Sequence, residues 1–196
     1  MANRLDDEAL DQLFRNGRTH NVWLERPVED DVLREIYDLA KMPPTSANCS
    51  PMRVVFVKSP EAKARLLAVV SAGNQEKTRS APVTAIIAND RRFYDELPKL
   101  FPHTDARAWF VGNEALAEKT MFRNGTLQGA YLMLAARALG LDCGPMSGFD
   151  NDKLDREFFP DGRFVSNFLV NLGYGDATKL FPRSPRFTFD EACTIL

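Results

Sequence analysis

The stretch from Asn113 to Leu139 constrains this chain more than any other part of it. It holds no proline, and Gly140 follows it as a C-terminal stop, so it predicts one long helix. Between Ala130 and Leu139 the only charge is Arg137. A helix that is apolar nearly all round has to be covered on most of its sides. It is therefore the core of the domain or a seam between subunits. With 196 residues the chain suffices for one domain that folds without a disulfide or a metal. Residues 1–196 are read as a single unit built around this helix.

The other segments supply both helices and strands. Leu5, Ala9, Leu10, Leu13 and Phe14 form a helical stripe that Asn16-Gly17 ends. A second helix carries Val32, Leu33, Ile36, Tyr37 and Ala40 on one face and stops at Pro43-Pro44. Arg53–Lys58 reads as a β-branched strand. Ser59-Pro60-Glu61 then opens a helix with an N-cap, a first-turn proline and an acid. Ser71–Ser80 is a polar stretch that carries Gly73, Asn74 and Lys77. Pro82–Asn89 and Phe164–Tyr174 read as strands, Leu141–Met146 as a short extended piece, and Leu154, Phe158 and Phe159 mark a further helix. Residues 91–112 hold Pro98, Pro102 and many aromatics, and predict an irregular, lid-like excursion. Helices dominate without a βαβ alternation. The expected class is α+β, a small sheet packed against helices.

Composition removes whole classes of function. Lys and Arg total 25 against 27 Asp and Glu, a net charge of −2, which argues against a general nucleic-acid binder. No stretch approaches the ~20 apolar residues of a membrane span. The opening run MANRLDDEALDQLF lacks the apolar core of a signal peptide. The cysteines Cys49, Cys143 and Cys193 are odd in number and far apart, and the histidines are only His20 and His103. Neither a disulfide framework nor a metal site is expected, and the cysteine usage points to the reducing cytoplasm.

The usual nucleotide and serine-nucleophile fingerprints are missing. What stands out is where acids are absent. None falls between Asp11 and Glu25, between Asp38 and Glu61, between Glu76 and Asp90, or between Asp176 and Asp190. These stretches contain Arg15, Arg18 and His20, the loop PPTSANCSP, Lys77 and Arg79, and Lys179, Arg183 and Arg186. Brought together, they would form a pocket of cations, hydroxyls and amides suited to a phosphorylated ligand. Left apart, they are solvated basic loops.

Four segments, in order along the chain, resemble the flavin-dependent nitroreductase family. Gly17-Arg18-Thr19-His20-Asn21 is similar to its N-terminal flavin-phosphate segment. Pro44-Thr45-Ser46-Ala47-Asn48-Cys49-Ser50-Pro51 is similar to its Pro-Ser-Ser-x-Asn-x-Gln-Pro loop. Gly144-Pro145-Met146-Ser147-Gly148-Phe149-Asp150 is similar to the segment beside the isoalloxazine. Gly173-Tyr174-Gly175-Asp176 with Arg183 and Arg186 is similar to the C-terminal phosphate clamp. The runs RTHN, PTSANCSP, FPHTDAR and GPMSGFD bring the likeness nearest to the malonic semialdehyde reductase subgroup of pyrimidine utilisation. The resemblance implies a nitroreductase-like fold, a domain-entwined homodimer, FMN as cofactor and NADH or NADPH as donor. It implies ping-pong hydride transfer to a small aldehyde, quinone or nitro substrate. The alternatives are a broad-specificity nitroreductase or quinone reductase and, in a different class, a non-catalytic flavin-binding interaction protein.

The resemblance also assigns residues. Arg18, Arg183 and Arg186 would fork onto the FMN phosphate, with Lys179 a spare cation or a solvated lysine. His20 and Asn21 share the N-terminal segment, and His20 reads as a packed histidine before an acid catalyst. Asn74 and Lys77 sit where the family places groups that answer negative charge near flavin N1. Ser147-Gly148, next to Met146, can present an amide to N5 without a bulky wall. Thr45, Ser46 and Asn48 would come from the partner subunit, and Cys49 is read as a spectator. Arg107 is the candidate for the substrate carboxylate and His103 for the proton to the alkoxide. The competing place for Arg107 is an ion pair with Asp105 or another surface acid. The chain has Ser147 where many members have Glu, and Ser50-Pro51-Met52 where they have Gln-Pro-Trp. Those departures fit a different substrate preference.

Overall fold

Four strands, β1 (Met52–Val57), β2 (Val83–Asp90), β3 (Asp142–Met146) and β4 (Phe164–Gly173), form one antiparallel sheet in the order β1-β2-β4-β3. The computed structural model describes residues 3–196, so Met1 and Ala2 of the opening run lie outside the described residues. Every residue of β2 is buried, because the strand is central and both sheet faces are covered. Val83, Ala85 and Ile87 of β2 join Val170 and Leu172 of β4 in one cluster, while Ile86 and Ala88 join Leu169 in another. This is the period of two expected of a strand covered on both sides.

The helices are α1 (Asp7–Leu10), α2 (Asp30–Ala40), α3 (Pro60–Leu67), α4 (Ala72–Ser80), α5 (Leu97–Leu100), α6 (Glu114–Ala138), α7 (Asn151–Phe158) and α8 (Phe189–Ala192). α2 and α6 supply the first cluster, and α3 and α7 the second. The result is the α+β arrangement read from the sequence.

α6 is the long helix, capped by the Asn113 side chain, which accepts from the Leu116 amide. It sits close on the sheet through Gly125 and Gly129. A Cβ at Gly129 would fall 2.6 Å from the Phe168 ring, and one at Gly125 would fall 1.7 Å from Asn89 Oδ1, so a side chain at either position would lift the helix. A register shift between Ile87 and Ala88 places Asn167 where its Nδ2 donates to Thr126 Oγ1 at 2.8 Å. On its other side α6 exposes Phe122, Leu127 and Tyr131. The helix is thus core along one face and open along another.

Three expectations change. The polar stretch is α4, in which only Thr78 is buried. The N-terminal stripe does not pack as one face: α1 is a single turn that continues as a π-helical turn, Asp11–Arg15, and Leu5 and Phe14 are exposed. The excursion is ordered rather than irregular. It holds two 3₁₀ turns, Phe93–Glu96 and Ala106–Trp109, flanking α5. Phe93, Leu97, Ala106 and Phe110 bury against Ala117 and Met121 of α6, with the Phe93 and Phe110 rings edge-to-face at 4.9 Å.

Candidate active site

The segment from Gly17 to Leu24 is laid against β3 and the end of β4. Thr19 pairs with Cys143 and Trp23 with Gly175. The His20 amide donates to the Cys143 carbonyl at 3.0 Å and the Leu24 amide to the Tyr174 carbonyl at 2.8 Å. After β4 the chain returns on the same side. Arg183 Nη2 donates to the carbonyls of Arg15 (2.8 Å) and Gly17 (3.1 Å), and Arg18 Nη2 to that of Phe181. Between these segments, β3 and the C-terminal half of α6 lies a cavity of about 720 Å³.

Arg18, Arg137, Arg183 and Arg186 line this cavity with Asn21, Cys143 and Pro145, and among the described residues no Asp or Glu does. The hydrogen bonds of all four guanidiniums go to backbone carbonyls. A carbonyl orients a guanidinium without cancelling its charge. A concave wall of uncompensated cations attracts anions, and the planar fork suits phosphate or carboxylate. Lys179 is exposed and does not line the cavity. His20 is buried behind it, its Nε2 3.4 Å from Asp142 Oδ1 and its Nδ1 without a hydrogen-bond partner against Gly175.

β3 carries the chain from Pro145 in the cavity wall to Met146 and on to Ser147 and Gly148. The Gly148 carbonyl accepts from the Ser71 amide at 3.0 Å and from Asn74 Nδ2 at 2.9 Å, which ties the start of α4 to this segment. The other end of α4 is held through the Lys77 carbonyl. It accepts from Trp23 Nε1 (3.0 Å) and from Asn171 Nδ2 (3.1 Å), while Asn171 Oδ1 accepts from Thr84 Oγ1 at 2.7 Å. Last-turn carbonyls have no partner inside the helix, and buried side chains from two other segments supply partners here. Met146 is buried, with its sulfur 3.6 Å from Thr78 Oγ1.

The loop with Thr45, Ser46 and Asn48 lies elsewhere, beside the N-terminal half of α6. Ala47, Asn48 and Ser50 have φ of 49°, 50° and 38°. Such conformations cost about 1 kcal/mol or more each for a residue with a side chain, and they cluster at functional sites. The bonds that hold them run from the Ser46 amide to Asn124 Oδ1 (2.9 Å), from Asn48 Nδ2 to the Leu100 carbonyl (2.8 Å) and from the Ser50 amide to Thr45 Oγ1 (3.2 Å). Burial pushes the Cys49 thiol up to about 11, so it stays protonated and unreactive near neutral pH.

Arg107 and His103 lie on the excursion and do not line the arginine cavity. Arg107 Nε donates to Asp95 Oδ1 at 3.1 Å. Asp105 instead caps its own turn through the Ala108 amide. His103 is exposed, edge-on to Phe101 at 5.3 Å. Where β2 gives way to the excursion, the buried Asp90 accepts from Arg53 Nη2 (2.9 Å), from Arg163 Nε (3.0 Å) and Nη2 (2.9 Å), and from the Arg92 amide (2.9 Å).

A family profile described as the nitroreductase family matches residues 15–174. The chain belongs to the nitroreductase family. It is 62% identical over its full length, and that of the relative, to a provisionally named NADH dehydrogenase/NAD(P)H nitroreductase of Polynucleobacter asymbioticus. A protein of the same provisional name from Burkholderia lata is 63% identical, with 97% of this chain and 98% of the relative covered. Among solved structures, a provisionally named nitroreductase of Exiguobacterium sibiricum in complex with FMN superposes with a TM-score of 0.87 at 19% identity, with 100% of each chain covered. Among the described residues of this nitroreductase-family chain, no helix is long and apolar enough to cross a membrane.

Of the residues singled out in the sequence, the fold of this nitroreductase-family chain brings Arg18, Asn21, Arg183 and Arg186 onto one cavity. It brings Asn74 to Gly148, beside Met146 and Ser147, on the continuation of its wall, and places Lys77 one turn further along α4, where its carbonyl accepts from Trp23 and Asn171. It does not bring Thr45, Ser46 and Asn48 to that cavity within one chain. The residue patterns overlook Arg137 as a cavity residue, although a single charge in an apolar run was its signal. Nothing local marks Trp23 and Asn171 as supports of α4, because each acts across the fold.

Proposed function

We propose that this chain is an FMN-dependent NAD(P)H oxidoreductase that reduces malonic semialdehyde to 3-hydroxypropionate. The observation that carries the cofactor reading is the acid-free cavity lined by four arginines. FMN ends in a phosphate of nearly two negative charges, and Arg18, Arg183 and Arg186 fit it without competition from a carboxylate. Asn74 and Lys77 answer the charge near flavin N1, and the backbone of Ser147-Gly148 serves N5. When bound, FMN supplies the hydride-transfer chemistry, while the chain supplies binding, orientation and charge. Donor and aldehyde share one pocket, so parallel double-reciprocal lines are expected.

The aldehyde reading rests on the runs RTHN, PTSANCSP, FPHTDAR and GPMSGFD and on a cation to bind the substrate carboxylate. Arg107 is that cation: Asp95 takes its Nε, and its two Nη groups make no hydrogen bond among the described residues. His103 would give the proton to the alkoxide. The hold of Asp95 on Arg107 also favours a second reading, a broad nitroarene or quinone reductase, whose neutral substrates need no such cation.

The working unit in this reading is a homodimer. α6 leaves Phe122, Leu127 and Tyr131 uncovered, and the C-terminal tail exposes Phe181, Phe187 and Ile195. The strained 45–50 loop, remote from its own cavity, would complete the partner's site. An interface above ~2,000 Å² is expected of such an obligate pair. A monomer in sedimentation that keeps flavin and activity would refute it.

The function is tested with purified protein. It should be yellow with FMN and bleach with NADH or NADPH. A colourless protein that takes up no FMN removes both enzyme readings. With Arg107→Ala, activity on malonic semialdehyde should fall about tenfold or more, roughly 1.4 kcal/mol, and quinone reduction should hold. Equal losses on both substrates would withdraw the carboxylate role.

A further inference from the structure

We infer that Arg137 is a fourth phosphate-binding group of the cavity, supplied by the core helix rather than by either terminal segment; this rests on the FMN reading above and adds a residue to it. Arg137 stands in the last turn of α6 and lines the cavity together with Arg18, Arg183 and Arg186. Its Nε donates to the Leu13 carbonyl at 3.1 Å and its Nη2 to the Gln12 carbonyl. Gln12 Nε2 returns a bond of 2.8 Å to the Arg137 carbonyl. The π-helical turn therefore holds the guanidinium through two neutral carbonyls, and Gln12 ties that turn to the end of α6. A guanidinium has five N–H donors in a fixed plane, and the pair on Nη1 has no hydrogen-bond partner among the described residues. The fork is held, charged and not fully used.

Gly17, at the head of the segment that carries Arg18, lies directly on this group. A Cβ there would fall 2.9 Å from Arg137 Cζ and 3.1 Å from Nη1. The absence of a side chain at Gly17 thus keeps the guanidinium in place beneath the loop. Arg137 also faces the β3 wall, where its charge acts against the rise of the Cys143 thiol, although burial prevails and holds that group at about 12. Arg183 and Arg186 sit on an exposed tail, whereas Arg137 is fixed on the core helix. A group already ordered before the ligand arrives loses less freedom on binding.

The test compares FMN with riboflavin, which lacks only the phosphate, by fluorescence quenching of the full-length apoprotein. In Arg137→Gln the FMN dissociation constant should rise tenfold or more while that of riboflavin stays put. Arg137→Lys should restore part of the preference, since it keeps the charge and loses the fork. Gly17→Ala, which displaces the guanidinium without removing it, should shift the same ratio in the same direction and keeps the inference falsifiable if Arg137→Gln fails to fold. Equal losses for both flavins in Arg137→Gln would make Arg137 a structural clamp and overturn the inference. So would an unchanged ratio in Gly17→Ala. If the unaltered protein itself does not prefer FMN, the cofactor reading fails first, whatever the variants do.

Discussion

Eight arginines of this chain fall into two regions with opposite surroundings. At the cavity, Arg18, Arg137, Arg183 and Arg186 donate to backbone carbonyls. At the opposite end of β4, Arg53 and Arg163 lie 2.9 Å from Asp90, and Arg92 and Arg107 lie 2.8 and 3.1 Å from Asp95. The arginines of the second group are each paired with a carboxylate, two to Asp90 and two to Asp95, and join the excursion to the sheet. The first keeps its charge and faces open space. The partner of an arginine, more than its position in the chain, sets how much charge it has left to offer: a shared carboxylate offsets part of it, and a carbonyl only aims it.

The largest expected effect comes from removing charge at the cavity. Arg18→Gln combined with Arg183→Gln should weaken FMN binding by about 100-fold or more, because each hydrogen bond between charged groups contributes about 1.5–3 kcal/mol. Riboflavin binding should change far less. If both flavins weaken together, the cavity arginines are braces too and the distinction collapses.

The next effect lies in the other region. Asp90 has a fully buried side chain, while Arg53 and Arg163 are about a third exposed. Breaking a buried pair costs about 3–5 kcal/mol, and the partial exposure of the arginines places Asp90→Asn near the low end. At about 2–4 °C per kcal/mol for a chain of this size, the melting temperature should drop by roughly 6–12 °C, with FMN affinity kept below the transition. Loss of FMN affinity without loss of stability would reverse the assignment. The smallest effect belongs to Arg92→Ala. That pair is exposed on the arginine side, at 62%, and such pairs contribute about 0–1 kcal/mol. Both the melting temperature and the flavin affinity should stay nearly unchanged; a drop as large as that of Asp90→Asn would show that the two acids act as one unit.

Much of this was legible in the residue pattern because it is local. α6 was expected over Asn113–Leu139 and spans Glu114–Ala138, since a long apolar run bounded by a cap and a glycine carries its own limits. The strands were legible for the same reason. α4 was not, because AGNQEKTRS has no apolar face; it is held from outside by Trp23, Asn171 and the Gly148 carbonyl. The N-terminal stripe misled in the other direction, since Leu5 and Phe14 carry the pattern of a buried face and are exposed. At the site, Arg18, Asn21, Arg183 and Arg186 could be named from acid-free stretches and family likeness. Arg137 stands out only as a lone charge in an apolar run and Asp90 not at all, because what gives them their roles is the partner, and the partner is set by strand order and helix packing across the fold.

The most direct measurement is equilibrium titration of the unaltered apoprotein with FMN and with riboflavin at low and high salt. The expected result is FMN binding tighter by about 100-fold or more, since several charge-assisted bonds depend on the phosphate, with the preference narrowing as salt screens the exposed arginines. Riboflavin binding as tightly as FMN, or neither flavin binding at all, would contradict the central claim that the acid-free cavity is a phosphate site.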